Sequence, residues 1–480
     1  MKLVYNVNEK PPVGKLIISA LQQLLAILAA TIAVPAIIGN GMSASAALLG
    51  AGVGPIIYQL FTQFKSPVFL GSSFAFLGSM ATAFAGAISI SAGYFGLILG
   101  AVFAGLVYVV IAIIVKYVGV NWINKLMPAV VIGPTVAIIG LSLAGNAVGD
   151  LLKGSVTTMV DNLVVSFNDF NIPFIDVESS AVPTASPYVA IICGLVALFT
   201  IIICSVYGKK NAKLFPFVIG IVAGYAVASI FTLIGTLAEN PALMVIDFAK
   251  FKNMQWLPDF TFVTAFSGIS DLVESGSFWS YMATIAVAYL PVAFVVFAEH
   301  IADHKNLSTI IDKDLLTEPG LDRTLLGDGV GSMVGAFFGG CPNTTYGESV
   351  GCVAITGNAS VRTITLTAII AIAAAFVAPF VTFLATIPSC VMGGVCIALY
   401  GFIACSGLKM IQKVDLNDNA NLFVVCVILI CGVGGLSISF GKVTITTVAC
   451  SLILGILVNL VVNKGRQKVE NKNEKDSTAA

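Results

Sequence analysis

Charge is scarce in this chain. Lys, Arg, Asp and Glu make up only 10% of its 480 residues, where an ordinary soluble domain carries about 25%. Basic and acidic residues number 24 each, so the formal net charge is zero and nothing draws a nucleic-acid partner. Histidine occurs twice, and the 10 cysteines form neither a CxxC pair nor the Cys/His spacing of a metal site. Cys193, Cys204 and Cys426 sit inside apolar runs, where a free Cys packs as a small hydrophobe. No nucleophile–base pair is evident, which argues against a membrane-embedded enzyme, and no cofactor or metal is expected.

What the chain has is apolar length. Hydrophobic residues are 58% of it and the mean hydropathy is +0.99. That is the composition of an all-α polytopic membrane protein whose surroundings are a lipid bilayer. The first apolar run, 16–38, is too long for the core of a signal peptide and reads as a true span. A spanning helix needs about 20 apolar residues. Candidates lie at 14–38, 45–64, 66–88, 92–117, 127–147, 186–207, 214–236, 278–303, 323–339, 341–357, 361–383, 387–408, 418–437 and 443–463, fourteen in all.

Positive charge tests that count. With a cytoplasmic N-terminus (1–13) and fourteen crossings, 20 of the basic residues fall inside and 4 outside, the latter being Lys153, Lys250, Lys252 and Lys442. Cytoplasmic loops carry such an excess, so both termini are expected in the cytoplasm and the protein in the cell membrane. The two long outside loops, 148–185 and 237–277, are acidic, with Asp150, Asp161, Asp169, Asp176, Glu178 and Glu239 among their residues. The tail 464–480 is polar and Lys-rich and is expected to lack structure.

The third and tenth segments are unlike the rest. Each contains a polar, Gly-containing interruption: 67–76 reads PVFLGSSFAF and 340–348 reads GCPNTTYGE. Both place a Pro and two adjacent hydroxyl residues before an aromatic. They lie seven segments apart, which is the spacing of an inverted repeat, and paired interruptions of this kind point to a transporter binding site. The similarity is short and does not by itself exclude chance.

Irregular backbone survives at membrane depth only where protein or water covers it, and an ionisable residue there is a candidate functional group. Glu348 is such a residue. Glu299 follows seventeen uncharged residues, and Asp303 lies four residues on, on the same helix face. Spacing leaves two readings open: that face lines a polar cavity, or the helix ends near Glu299 and the acids are interfacial. His300 and His304 read as interfacial. Asp328, between two glycines, reads as a partner for nearby basic residues or as a helix start. The stretch 306–320 reads as a short amphipathic helix on the cytoplasmic face. Burial disfavours the charged form of a carboxylate, so acids at this depth suit proton exchange and acceptance of a heterocyclic N–H. Extended backbone at 68–76 and 343–348 would offer N–H donors, and Phe74 and Tyr346 could cover a flat ring. The alternative for Phe74 is plain packing.

These stretches, with Ala298-Glu299-His300-Ile301, Lys313-Asp314-Leu315-Leu316 and Pro319-Gly320-Leu321, resemble the nucleobase–ascorbate (uracil/xanthine) transporter family across essentially the whole chain. Glu348-Ser349-Val350-Gly351 and Thr356 meet its signature of an acid or Gln, a small polar residue, any residue, Gly, and a later Thr. The resemblance implies two inverted seven-segment repeats, 14–236 and 278–463, joined by an extracellular loop at 237–277 and arranged as core and gate domains. It implies short strands in the third and tenth segments, and commonly a homodimer. It implies proton-coupled symport of a nucleobase. Phe74, Glu299, Tyr346, Gly347, Glu348 and Tyr400 would line the substrate, and Glu299, Asp303 or Glu348 would carry the proton. Gln23, Ser73 and Asp328 would give support.

Two departures bear on the substrate. Asp303 stands where some uracil-transporting members have a His, and Gln22-Gln23 replaces a frequent Gln-His. The first favours a purine such as xanthine, whereas an acid at position 348 favours uracil, which is the expected substrate. An anion transporter of the same fold would favour positive charge at the site, and neither interrupted segment contains a Lys or Arg. A non-transporting receptor would show no substrate accumulation.

Overall fold

The computed structural model describes residues 3–167, 173–209, 212, 215–440 and 443–478. Asp169 and Lys442, and Lys2, Lys210 and Lys213 among the basic residues assigned inside, lie outside the described residues. The first expected spans are helices α1 (Val13–Ile38) and α2 (Ala44–Phe61). The third is broken, as its Pro and glycines demand: strand β1 (Leu70–Ser72) leads into α3 (Leu77–Ala85). Helix α4 (Ile90–Val118), the short α5 (Asn121–Leu126), α6 (Ala129–Ser142) and α7 (Ala144–Leu151) follow. Strands β2 (Thr157–Phe167) and β3 (Pro173–Pro183) form an antiparallel hairpin where the sequence indicated only an acidic loop. Helices α8 (Pro187–Tyr207) and α9 (Pro216–Leu237) each start on Pro, whose missing N–H costs nothing in a first turn.

The loop expected at 237–277 holds helix α10 (Thr261–Glu274). Thr261, Ala265, Gly268 and Leu272 form its buried stripe, and Ser89 donates a hydrogen bond of 2.5 Å to Asp271. Helix α11 (Phe278–Ile311) runs straight past Glu299 until Asp312, in a left-handed conformation (φ 52°), ends it. The separate amphipathic helix expected at 306–320 is therefore the last turns of α11 followed by a wide turn at Leu316–Gly320. Next come α12 (Leu321–Gly339), strand β4 (Asn343–Thr345) and α13 (Gly347–Thr356). The eleventh expected span bends by 85° between α14 (Val361–Ala375) and α15 (Ala378–Thr386). Helices α16 (Ser389–Ile411) and α17 (Asn419–Val433) precede the small hairpin β5 (Ile438–Phe440) and β6 (Val443–Ile445). Helix α18 (Thr447–Thr478) continues through the tail expected to lack structure. Among the described residues eight helices are long and apolar enough to cross a membrane, and the bent pair adds a ninth.

Internal contacts divide the chain into two compact units. In the unit Gly145–Gln255 with Thr382–Ala398, α8 lies against α9 with Gly224 facing Ala197 and Cys193, and the Tyr225 and Thr386 hydroxyls share a hydrogen bond of 2.9 Å. In the unit Met1–Ala144, Trp256–Val381 and Leu399–Ala480, α12 is held between α2 and α4. Glycines at every fourth position make this possible. Gly331, Gly335 and Gly339 face Gly54, Gly50 and Ala46 of α2, while Gly329 faces Gly105 and Tyr108 of α4. Small residues four apart let membrane helices meet backbone to backbone.

A Cβ on Gly50 would stand 2.5 Å from the Gly335 carbonyl oxygen and 3.2 Å from Gly339 Cα, so both helices would have to separate. Gly50→Ala is expected to cost about 1–3 kcal/mol through overpacking, seen as a lower thermal midpoint in detergent. Gly145→Ala, with open space around the new methyl, is the control and should leave the midpoint in place.

Candidate functional site

Strands β1 and β4 pair antiparallel, with Leu70 opposite Thr345, Gly71 opposite Thr344 and Ser72 opposite Asn343. Two further bonds extend the ladder, Ser73 N–H to Pro342 O at 3.0 Å and Tyr346 N–H to Phe69 O at 3.1 Å. Each strand hands over to a short helix, α3 or α13, so the two interrupted segments meet at their breaks. The polar residues there are buried: Ser72, Ser73, Asn343, Thr344 and Thr345 all lie inside the protein.

The strands are fixed by side chains of the tenth segment and of α1. Tyr346 donates its hydroxyl to Ser72 O at 2.8 Å, and its ring lies where a Cβ on Gly71 would be. Gly71 therefore has to be glycine for the aromatic to cross the ladder. Asn343 donates to Gly50 O at 2.8 Å, which ties β4 to the seam between α2 and α12. Gln23, on α1, donates to Ser349 Oγ at 2.5 Å and pins the first turn of α13.

Three acids surround this crossing. Asp303 accepts a hydrogen bond of 2.7 Å from the Thr345 hydroxyl, and its other oxygen lies 3.8 Å from where a Cβ on Gly347 would be. Glu299, one turn earlier on α11, is half-buried, and its Oε2 is enclosed with no hydrogen-bond partner among the described residues. Glu348 opens α13 and is also half-buried. Asp303 and Glu348 are close enough to interact electrostatically with Glu299. In a stretch buried from Cys341 to Tyr346, Gly347 is exposed. Phe74 and Tyr400 meet edge to face with ring centroids 5.4 Å apart. Thus Phe74, Tyr346, Gly347 and Glu348 lie at the crossing, Asp303 is bonded to it, Glu299 is one turn along α11, and Tyr400 reaches it through Phe74. Ser73 Oγ has no partner among the described residues.

Other expected positions turn out differently. His300 and His304 are not interfacial: both are 0% exposed. Asp328 is not at a helix start; of its two readings, the partner of a nearby basic residue holds, and that partner is a histidine. It sits inside α12, and its Oδ2 is 2.7 Å from His300 Nδ1. Thr345 was not expected to hold an acid, although its hydroxyl was visible beside Tyr346.

The arrangement offers carboxylate acceptors, strand backbone and aromatic edges at one place, and the described residues include no cluster of His, Cys, Asp and Glu able to hold a metal ion. Such a set suits an uncharged, planar, polar ligand better than an anion. The family model described as the Permease family (Xan_ur_permease) matches residues 14–179 and 175–441. The chain is similar to the uracil permease of Bacillus caldolyticus, at 35% identity over 484 residues and 100% of both chains. It is similar to the uracil permease of Bacillus subtilis (strain 168), at 32% identity over 98% of each. Among solved structures, the transmembrane domain of a cyanobacterium bicarbonate transporter, BicA, shares the fold with a TM-score of 0.56 over 94% of this chain and 96% of that one, at 15% identity. A match over most of its length to the family model, and over its full length to such relatives, means that this chain belongs to the Permease family of membrane carriers.

Proposed function

We propose that this chain carries uracil across the cytoplasmic membrane together with protons, by alternating access. The observation that carries the reading is the β1–β4 crossing with Glu299, Asp303 and Glu348 gathered round it. Full-length relatives named uracil permease support the substrate. In this reading Glu348 and Glu299 accept the ring N–H groups, and backbone N–H groups near Phe74 and Gly347 donate to the carbonyl oxygens. Phe74, Tyr346 and Tyr400 flank the ring. Glu299, Asp303 or Glu348 takes up the proton, and Gln23, Ser73 and Asp328 support the site. Fourteen segments in two inverted repeats, both termini in the cytoplasm, core and gate domains and a homodimer complete the proposal.

A second reading, xanthine or another purine, is favoured by Asp303 itself, an acid held against β4 by Thr345. Radiolabelled uracil uptake into proteoliposomes under an inward proton gradient, with unlabelled xanthine as competitor, separates the two. Uptake that collapses with a protonophore and ignores xanthine is the expected result. Xanthine carried with no uracil uptake would reverse the order. Uracil uptake indifferent to the protonophore would remove proton coupling.

A further inference from the structure

Helix α11 presents two pairs of titratable side chains four residues apart: Glu299 with Asp303, and His300 with His304. The first pair belongs to the site above. The histidines lie on another face, with ring centroids 3.9 Å apart, and are enclosed by α2 and α12. His304 Nδ1 is 2.8 Å from the His300 carbonyl oxygen, which can only accept, so Nδ1 carries a proton. His304 Nε2 is 2.8 Å from the Tyr58 hydroxyl, which is 2.8 Å from Ser66 Oγ. A neutral His304 satisfies every group in that chain, and a charged one would be a buried cation with no anion bonded to it.

His300 differs. Its Nδ1 faces Asp328 Oδ2 at 2.7 Å, and its Nε2 is 3.1 Å from Thr324 Oγ1, which is also 3.1 Å from Leu321 O. Two proton arrangements fit these same atoms. In one, Nδ1–H donates to the Asp328 carboxylate and the Thr324 hydroxyl donates to Nε2. In the other, Thr324 turns to Leu321 O and accepts from Nε2–H, and a second proton lies between Nδ1 and Asp328. The second arrangement holds one proton more and leaves the pair electrically neutral. Only a hydroxyl has to rotate. Asp328 Oδ1 has no partner among the described residues, and Asp328 lines a cavity of about 10 Å³ with Tyr108, Ser332, Asn343 and Thr344. That is about the room one water needs. Thr344 is on β4, next to the residue that holds Asp303.

We propose that the Asp328–His300 pair is a second proton-loading group of this carrier, apart from the carboxylates that face the nucleobase, and that Thr324 is the positioning residue that lets it load. The inference rests on the proton-coupled reading above. The titratable groups packed around the pair are Tyr58 on α2, Tyr108 on α4, and Glu299, Asp303 and His304 on α11.

The test is the pH profile of uracil uptake in proteoliposomes of the full chain, with equilibrium uracil binding measured beside it. Thr324→Val removes the acceptor for Nε2–H, so the loaded form loses a charge-assisted bond. Its profile is expected to move to lower pH by about one unit, with uracil affinity within threefold of the parent, and Thr324→Ser should restore it. His300→Gln should flatten the same limb of the profile. Thr324→Val and His300→Gln both keeping the parent's profile would overturn the proposal, and if His300→Gln does not fold, Thr324→Val alone decides. A parent protein whose uptake ignores pH and protonophore would overturn the proton-coupled reading, and this inference with it. A coupled parent with unmoved variants would overturn the inference only.

Discussion

Uracil uptake by Glu348→Ala is expected to fall about 100-fold at low uracil. Glu348 stands in the first turn of a helix that opens directly from β4. In the proposed pose it accepts from a ring N–H, and a hydrogen bond to a charged group is worth about 1.5–3 kcal/mol. At 1.4 kcal/mol per tenfold, that is roughly 10- to 150-fold in affinity. The upper end is the expectation here, because truncation also leaves a ligand donor unpaired in a largely enclosed site. Folding should be little affected. The side chain is half-buried, and the turn that carries it is held independently by Gln23 donating to Ser349. Glu348→Gln keeps the shape and one acceptor and should lose less. The measurement is initial-rate uptake beside a melting midpoint for each variant. Glu348→Ala uptake within threefold of the parent, in a protein that melts at the parent's temperature, would remove Glu348 from the site.

How much of this was legible in the sequence differs by the kind of signal. Long apolar runs marked α1, α2, α4, α8, α9 and α16 closely, because hydropathy reports what lipid and core have in common. The breaks at 67–76 and 340–348 were legible because Pro and Gly disfavour helix, and each became a strand followed by a short helix. Helix α10 was missed although Thr261, Ala265, Gly268 and Leu272 keep a helical period. It lies in the stretch 237–277, which reads as an acidic outside loop, and the Ser89 that binds its Asp271 lies 182 residues away.

The histidines failed for the same reason. Their i, i+4 spacing was plain, but Tyr58 lies 246 positions from His304, and Asp328 reaches His300 only because glycines let α12 lie close between α2 and α4. Burial of a polar residue depends on what folds over it, and one segment does not contain that information. The glycine spacing 331, 335, 339 was present in the sequence; read as a small-residue seam, it would have placed α12 in the interior.

Glu299→Gln is expected to end proton-driven accumulation. Glutamine matches glutamate in size and keeps one oxygen as an acceptor, yet it cannot gain or lose a proton at neutral pH. Glu299 has the geometry for both tasks. It sits one turn from Asp303, within electrostatic reach of Glu348, and its Oε2 has no competing partner among the described residues. Asp303 is less free, since the Thr345 hydroxyl already occupies one of its oxygens at 2.7 Å. A group that must bind substrate and exchange a proton in one cycle is better served by the uncommitted carboxylate. Accumulation of labelled uracil against its gradient should therefore fall to the level of vesicles without protein, and an imposed inward proton gradient should no longer raise it. Asp303→Asn should retain part of the accumulation, because an amide oxygen can still accept from Thr345. The reverse ranking, with Glu299→Gln accumulating and Asp303→Asn inert, would move the coupling proton to Asp303. It would then be the acid bound to β4, and not the one with an uncommitted oxygen, that links substrate to proton.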